Sequence, residues 1–271
     1  MFHYDFMINA FGAAGIVAVV AAVAGYFLVL RGQTFAGHAL SHVGFAGATG
    51  AVLFGVPPLI GLAAFTVMAA IGMGLFGEKL SGRDVAIGMV LSLSLGLGVL
   101  FLHFYTSFAT QATSVLFGNV LAINPSTIWM LLVLGTFCLA VLGVIARPLL
   151  FASLQPELAE AKGVPLRQIS VLFLAIVAVA VAESSQIVGV LLVFTLMIGP
   201  AAAAQRVTTH LSLGIVLSVV FALADAWGGL TLAYYTDWPT TFWITALSGL
   251  VYFVSIAAAP IRRPIERFVN S

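Results

Sequence analysis

The chain has 271 residues, of which 62% are hydrophobic and only 7% charged, with a formal net charge of +1. Soluble domains carry about a quarter charged residues, so this balance excludes a water-soluble fold and predicts an all-α polytopic membrane protein. The weak net charge says nothing about nucleic acid and no basic cluster suggests it as a partner, while a single cysteine, Cys138, excludes an intramolecular disulfide framework.

A spanning helix needs about 20 mostly apolar residues. Such runs fall near 8–30, 36–55, 58–76, 85–105, 128–147, 169–183, 187–204, 211–230 and 242–260, which predicts about nine spans in one transmembrane domain, residues 1–271. The opening MFHYDF lacks a basic n-region and carries Asp5, so the first run reads as a retained span rather than a cleaved signal. Two runs are marginal: 36–55 is rich in Gly and Ala, and 169–183 is short.

The run at 36–55 holds His38 and His42. Residues four apart share one helix face, so both imidazoles can point at one spot. With Arg31 as the membrane boundary, a rise of about 1.5 Å per residue puts them about 10 and 16 Å in, near the middle of the bilayer. Ionisable side chains at that depth face a bundle interior or a water-filled path. A same-face pair therefore predicts a metal or proton path, whereas a lone buried His would only bridge two helices. Imidazole favours Zn²⁺ and other borderline divalent ions. A membrane zinc protease needs Glu after the first His, where Ala39 stands. A di-iron oxidase needs several histidine clusters, but His3, His103 and His210 are scattered near span ends and read as solvated.

Further along, TSFATQATSVLFGNVLAINPST is too polar and interrupted to span, and predicts an outer loop with a short helix dipping back. The connection Arg147–Ile169 carries helix punctuation: Pro156 at a first turn, Glu157 and Glu160 near the positive end, then Gly163 and Pro165 to stop it. This predicts an amphipathic helix of about two turns with Leu158 and Ala161 as its apolar stripe, resting on lipid headgroups or docking a cytosolic partner. Glu183 and Gln186 bracket a tight turn between spans and read as a solvated corner. Pro200 is expected to bend its helix. Asp225 is the other charge inside a span, about 22 Å along from His210, and either helps a cation enter or bonds a neighbouring helix end.

Orientation follows from Lys and Arg. With the C-terminal IRRPIERFVNS in the cytoplasm, alternate connections hold all ten basic residues and leave none opposite. The N-terminus is then outside and the C-terminus cytoplasmic. The outer face keeps Asp5, Glu183 and Asp237, either a cation-attracting mouth or simply what remains once that rule has removed Lys and Arg.

Four stretches, GHALSHVGFAGATGAVLFG, SVLFGNVLAI, LQPELAEAKGVPLRQI and QIVGVLLVFTLMIGPAAAA, with a weaker fifth, YYTDWPTTFWITALSGLVYF, occur in this order across nearly the whole chain. Together they resemble the permease subunit of the bacterial ABC importers for zinc, manganese and iron, the ABC-3 family. The resemblance implies a type II (vitamin B12 importer-like) permease in the bacterial inner membrane. It implies two copies forming a pore, cytoplasmic ABC ATPase subunits below, and an extracytoplasmic metal-binding protein delivering cargo.

The loop at about 148–168 would hold the coupling helix, with Glu157, Glu160 and Gly163 facing the ATPase. The segment at about 114–123 would be an outer gate, with Phe117, Gly118 and Asn119 beside the pathway. The family associates the positions of His38 and His42 with metal in the path; Asp225 and Glu183 are further pathway candidates by their charge and place in the chain alone. It commonly has Asp where His38 stands, and this departure shifts the expected cargo from Mn²⁺ toward Zn²⁺. No GxxxxGK[ST] loop is present, so the chain is expected not to hydrolyse ATP itself. An iron chelate or cobalamin-like cofactor, or proton-coupled metal transport, are the alternatives.

Overall fold

The computed structural model describes residues 4–76, 80–104, 118 and 123–258, apart from the side chains of residues 76, 80–83, 186 and 191. Among these residues there is no strand. The helices are α1 (Asp5–Leu30), α2 (Thr34–Leu53), α3 (Pro58–Phe76), α4 (Leu80–His103), α5 (Pro125–Leu154), α6 (Pro156–Ala161), α7 (Leu166–Val188), α8 (Val190–Val207), α9 (Leu211–Thr236) and α10 (Thr240–Ala258). Seven of them, α1, α3, α4, α5, α7, α9 and α10, are long and apolar enough to cross a membrane. The chain is thus a multi-pass membrane protein.

The two marginal runs part ways. The run at 169–183 extends to 23 residues as α7 and joins the seven. The histidine-bearing α2 is a full helix of 20 residues, but its Gly, Ala, Ser and His keep it below that hydropathy.

Small residues decide the packing. α1 lies at the centre because its alanines leave little more than backbone to cover: Ala10, Ala13, Ala18 and Ala21 are completely buried. Neighbours then reach its main chain. Ser218 of α9 donates to Ala22 O at 3.1 Å, Trp227 Nε1 to Phe11 O at 3.1 Å, and Gln205 of α8 to Tyr26 O at 2.8 Å. On the other side α2 is clasped by α3 and α4. Gly47 and Gly61 cross main chain to main chain, and Gly98 of α4 receives the Phe45 ring. α7 lies against α1, α3 and α5 and links the two groups.

One helix end differs from expectation. α5 does not stop near residue 147 but runs to Leu154 through Arg147 and Pro148. One interior proline removes a single main-chain bond, and fully buried Leu149 anchors the continuation. The linker between α5 and α7 is therefore shorter than 148–168, and α6 has only six residues. Its buried residue is Ala159, while the expected stripe of Leu158 and Ala161 faces away from the bundle.

Candidate functional site

Gly37, Gly44, Gly47 and Gly50 bring neighbours close to α2 and leave its long side chains few directions to point. His38 and His42 stack on one face, with ring centroids 4.7 Å apart and planes inclined by 77°. Phe194 of α8 closes on His38 from the other side, 4.8 Å between centroids and nearly edge-on at 72°. Both imidazoles are half-buried. His38 Nδ1 is buried and has no hydrogen-bond partner. An orphaned buried ring nitrogen is costly unless something engages it.

The position of the pair along its helix differs from the count made from Arg31. The estimate from Arg31 assumed one continuous helix, but Arg31 closes α1 and α2 starts at Thr34. The histidines therefore lie about 6 and 12 Å along α2, not 10 and 16 Å, on a helix about 30 Å long. No set of three or more His, Cys, Asp or Glu converges among the described residues. At this point the described residues bring two imidazoles together and no third His, Cys, Asp or Glu. Phe194 was not singled out from sequence: one Phe among 21, in an apolar run, carries no local signal.

Glu183 is not a solvated corner. It is 1% exposed, and neither carboxyl oxygen has a hydrogen-bond partner. α7 continues to Val188, so Glu183 sits a turn inside the helix and the break comes only at Gly189. Gly135 of α5 makes the room: a β-carbon there would lie 3.1 Å from Glu183 Oε1 and would also press on Val20 of α1. Asp225 of α9 is likewise 1% exposed with both oxygens unpartnered. It approaches Ser248 of α10. Thus Glu183 lies beside Gly135 of α5, Asp225 lies near Ser248 of α10, and His38 faces α8 with His42 stacked on it.

Glu157, Glu160 and Gly163 are all exposed on or just after α6. Gly163 has a φ of 75°, the left-handed turn that ends the short helix. Of the residues expected at a gate, Phe117 and Asn119 lie outside the described residues. Gly118 is described: with a φ of 74° it packs its main chain against Ile187, Val188 and Gly189, the break between α7 and α8.

Basic side chains gather at one end of the bundle. Arg31 binds Ser153 Oγ at 3.1 Å and lies over the Phe173 ring, Arg167 donates to Leu75 O at 3.2 Å, and Arg206 lies over Tyr252.

Comparison with known proteins agrees with this architecture. The profile of the ABC 3 transport family matches residues 3–259. The manganese transport system membrane protein MntC of Listeria innocua is 30% identical over 96% of this chain and 93% of its own length. The manganese import system permease protein ScaB of Streptococcus gordonii is 30% identical over 98% and 96%. Among solved structures, PsaBC from Streptococcus pneumoniae, in complex with Fab, superposes with a TM-score of 0.83 at 27% identity, covering 98% of this chain and 94% of that one. The chain belongs to the ABC 3 transport family.

Proposed function

We propose that this protein is the pore subunit of an ATP-driven importer that passes a divalent transition metal into the cytoplasm, with His38 and His42 as transient ligands. The observation that carries the reading is the stacked imidazole pair, half-buried on one membrane helix, with an unpartnered ring nitrogen. Two neutral imidazoles hold a borderline divalent ion. Their incomplete shell suits passage, because a closed four-ligand site would trap the ion. A second copy of the chain, facing this one, is the natural source of further ligands.

In this reading nine helices span the membrane, α2 and α8 included, with the N-terminus outside and the C-terminus in the cytoplasm of a bacterial inner membrane. The gathering of Arg31, Arg167 and Arg206 at one end supports that orientation. At the same end, Glu157, Glu160 and Gly163 present α6 to a separate ABC ATPase, and an extracytoplasmic metal-binding protein supplies cargo opposite. Phe117, Gly118 and Asn119 belong to the gate in this reading. The histidine pair, rather than Glu183 or Asp225, is the metal stage, and the two carboxylates are secondary positions on the path.

Zinc is the expected cargo, since imidazole at both positions favours it over Mn²⁺. Manganese is the second reading, because it is the metal in the names of MntC and ScaB. The test is uptake of labelled zinc and manganese by vesicles holding the permease with its ATPase. His38→Ala and His42→Ala should abolish uptake and leave membrane insertion intact. Wild-type uptake by the double variant would reject the assignment, and the metal preferred by the native protein separates the two readings.

A further inference from the structure

α3 and α4 each pack closely on α2, yet they scarcely touch one another. An apolar cavity of about 300 Å³ lies between them, floored by Val43 of α2 and walled by Met68 and Gly72 of α3 and by Val90 of α4. Ser94 brings a hydroxyl to the lining, but that proton already goes to Val90 O at 2.7 Å. A β-carbon at Gly72 would meet no described atom within 4 Å, so the space beside it is open. Such a cavity has no use for water and takes an apolar guest.

The cleft opens sideways, toward lipid. Met68 lines it and is 59% exposed, while Met89 and Leu93, next to Val90 and Ser94 on α4, are each 67% exposed. Both helices are long and apolar enough to cross a membrane, so hydrocarbon meets this surface. On α3 the lining runs from Phe65 to Met73. Two residues farther on, the Leu75 carbonyl oxygen accepts a hydrogen bond from Arg167 of α7 at 3.2 Å. From Phe65 to Leu75 the helix rises about 15 Å. That is the depth of one leaflet in a hydrocarbon core about 30 Å thick.

Charge marks the end of the cleft. Arg167 is exposed, and its bond to Leu75 O uses one of the five N–H groups of a guanidinium. A guanidinium offers phosphate two parallel donors. α4 runs back from this same end, and its Asp84 is exposed two residues before the lining resumes at Ala86.

We propose that the cleft between α3 and α4 binds one zwitterionic phospholipid, an acyl chain lying along Gly72 and Val90 and the phosphate resting on Arg167. Asp84 selects the headgroup, because its carboxylate attracts an ammonium and repels a second anionic group. The bound chain supports the back of the histidine helix: Val43 follows His42 and points about 100° round from it.

The full-length permease, extracted into detergent from nanodiscs of equal parts phosphatidylethanolamine and phosphatidylglycerol, tests this by native mass spectrometry and thermal unfolding. One phosphatidylethanolamine should stay with each chain, and adding that lipid to delipidated protein should raise Tm. Inorganic phosphate alone should not. Gly72→Leu fills the cleft without a clash and should lose both the retained lipid and the rise in Tm, while Arg167→Gln should weaken both. Lipid retention by Gly72→Leu equal to the native protein's overturns the proposal, as does a Tm that phosphate alone raises equally. Disulfide-linked dimers formed by Met68→Cys in membranes also overturn it, because a second copy then covers the cleft. If Gly72→Leu does not fold, lipid titration of the native protein against Arg167→Gln decides, and equal responses reject the site.

Discussion

Phe194 of α8 stands edge-on to the His38 ring of α2, 4.8 Å between centroids, so the first histidine is held between an aromatic neighbour and the second histidine. An aromatic edge-to-face pair contributes about 0.5–1.5 kcal/mol beyond burial. Phe194→Ala removes that support and lets the imidazole turn. The half-saturating metal concentration for uptake should rise by roughly twofold to tenfold, with expression and membrane insertion unchanged. Unaltered half-saturation would show that Phe194 only fills space.

The first histidine also bears on metal choice. His38→Asp replaces a neutral nitrogen ligand by a charged hard oxygen, which Mn²⁺ tolerates better relative to Zn²⁺ than it tolerates imidazole. The ratio of manganese to zinc uptake should increase in this variant, measured by competition between the two labelled ions in vesicles. His42→Asp should move it the same way if the two rings act on one ion.

Much of the architecture was legible because membrane helices are written in hydropathy. The run at 58–76 matches α3, and the histidine spacing correctly placed both rings on one face. What failed was tertiary in origin. Glu183 read as solvated because it lies a few residues before a turn, and nothing local announces that Gly135 on a distant helix opens a space for it. The span expected to end at 147 runs on through Pro148, because the burial of Leu149 outweighs the one main-chain bond that a proline costs. Phe194 carries no pattern of its own, and only the packing of α8 on α2 makes it a neighbour of His38.

The break between α7 and α8 rests on one glycine. Gly189 has φ 81° and ψ 157°, a region all but closed to residues with a β-carbon. Gly189→Ala should therefore cost about 1–3 kcal/mol and disturb the seat of Gly118, which lies against the same main chain. The expected result is a lower Tm of the purified protein together with slower metal uptake. A Tm equal to the native value would mean that the helices can join differently from this structure.

The last test concerns the exposed edge of α6. Ala159 is its one buried residue and fixes the helix to the bundle, while Glu157, Leu158 and Glu160 are left exposed. A helix held by one small residue and showing an acidic and apolar surface outward fits a role in contact with another chain. Glu160→Lys reverses a charge on that surface without touching the bundle, so folding, insertion and contact with metal should all survive. Metal uptake should fall while ATP hydrolysis by the partner continues or loses its dependence on the permease, read as the ratio of metal transported to ATP consumed. If that ratio is unchanged, Glu160 lies outside the contact, and the coupling surface must be sought elsewhere along the connection between α5 and α7.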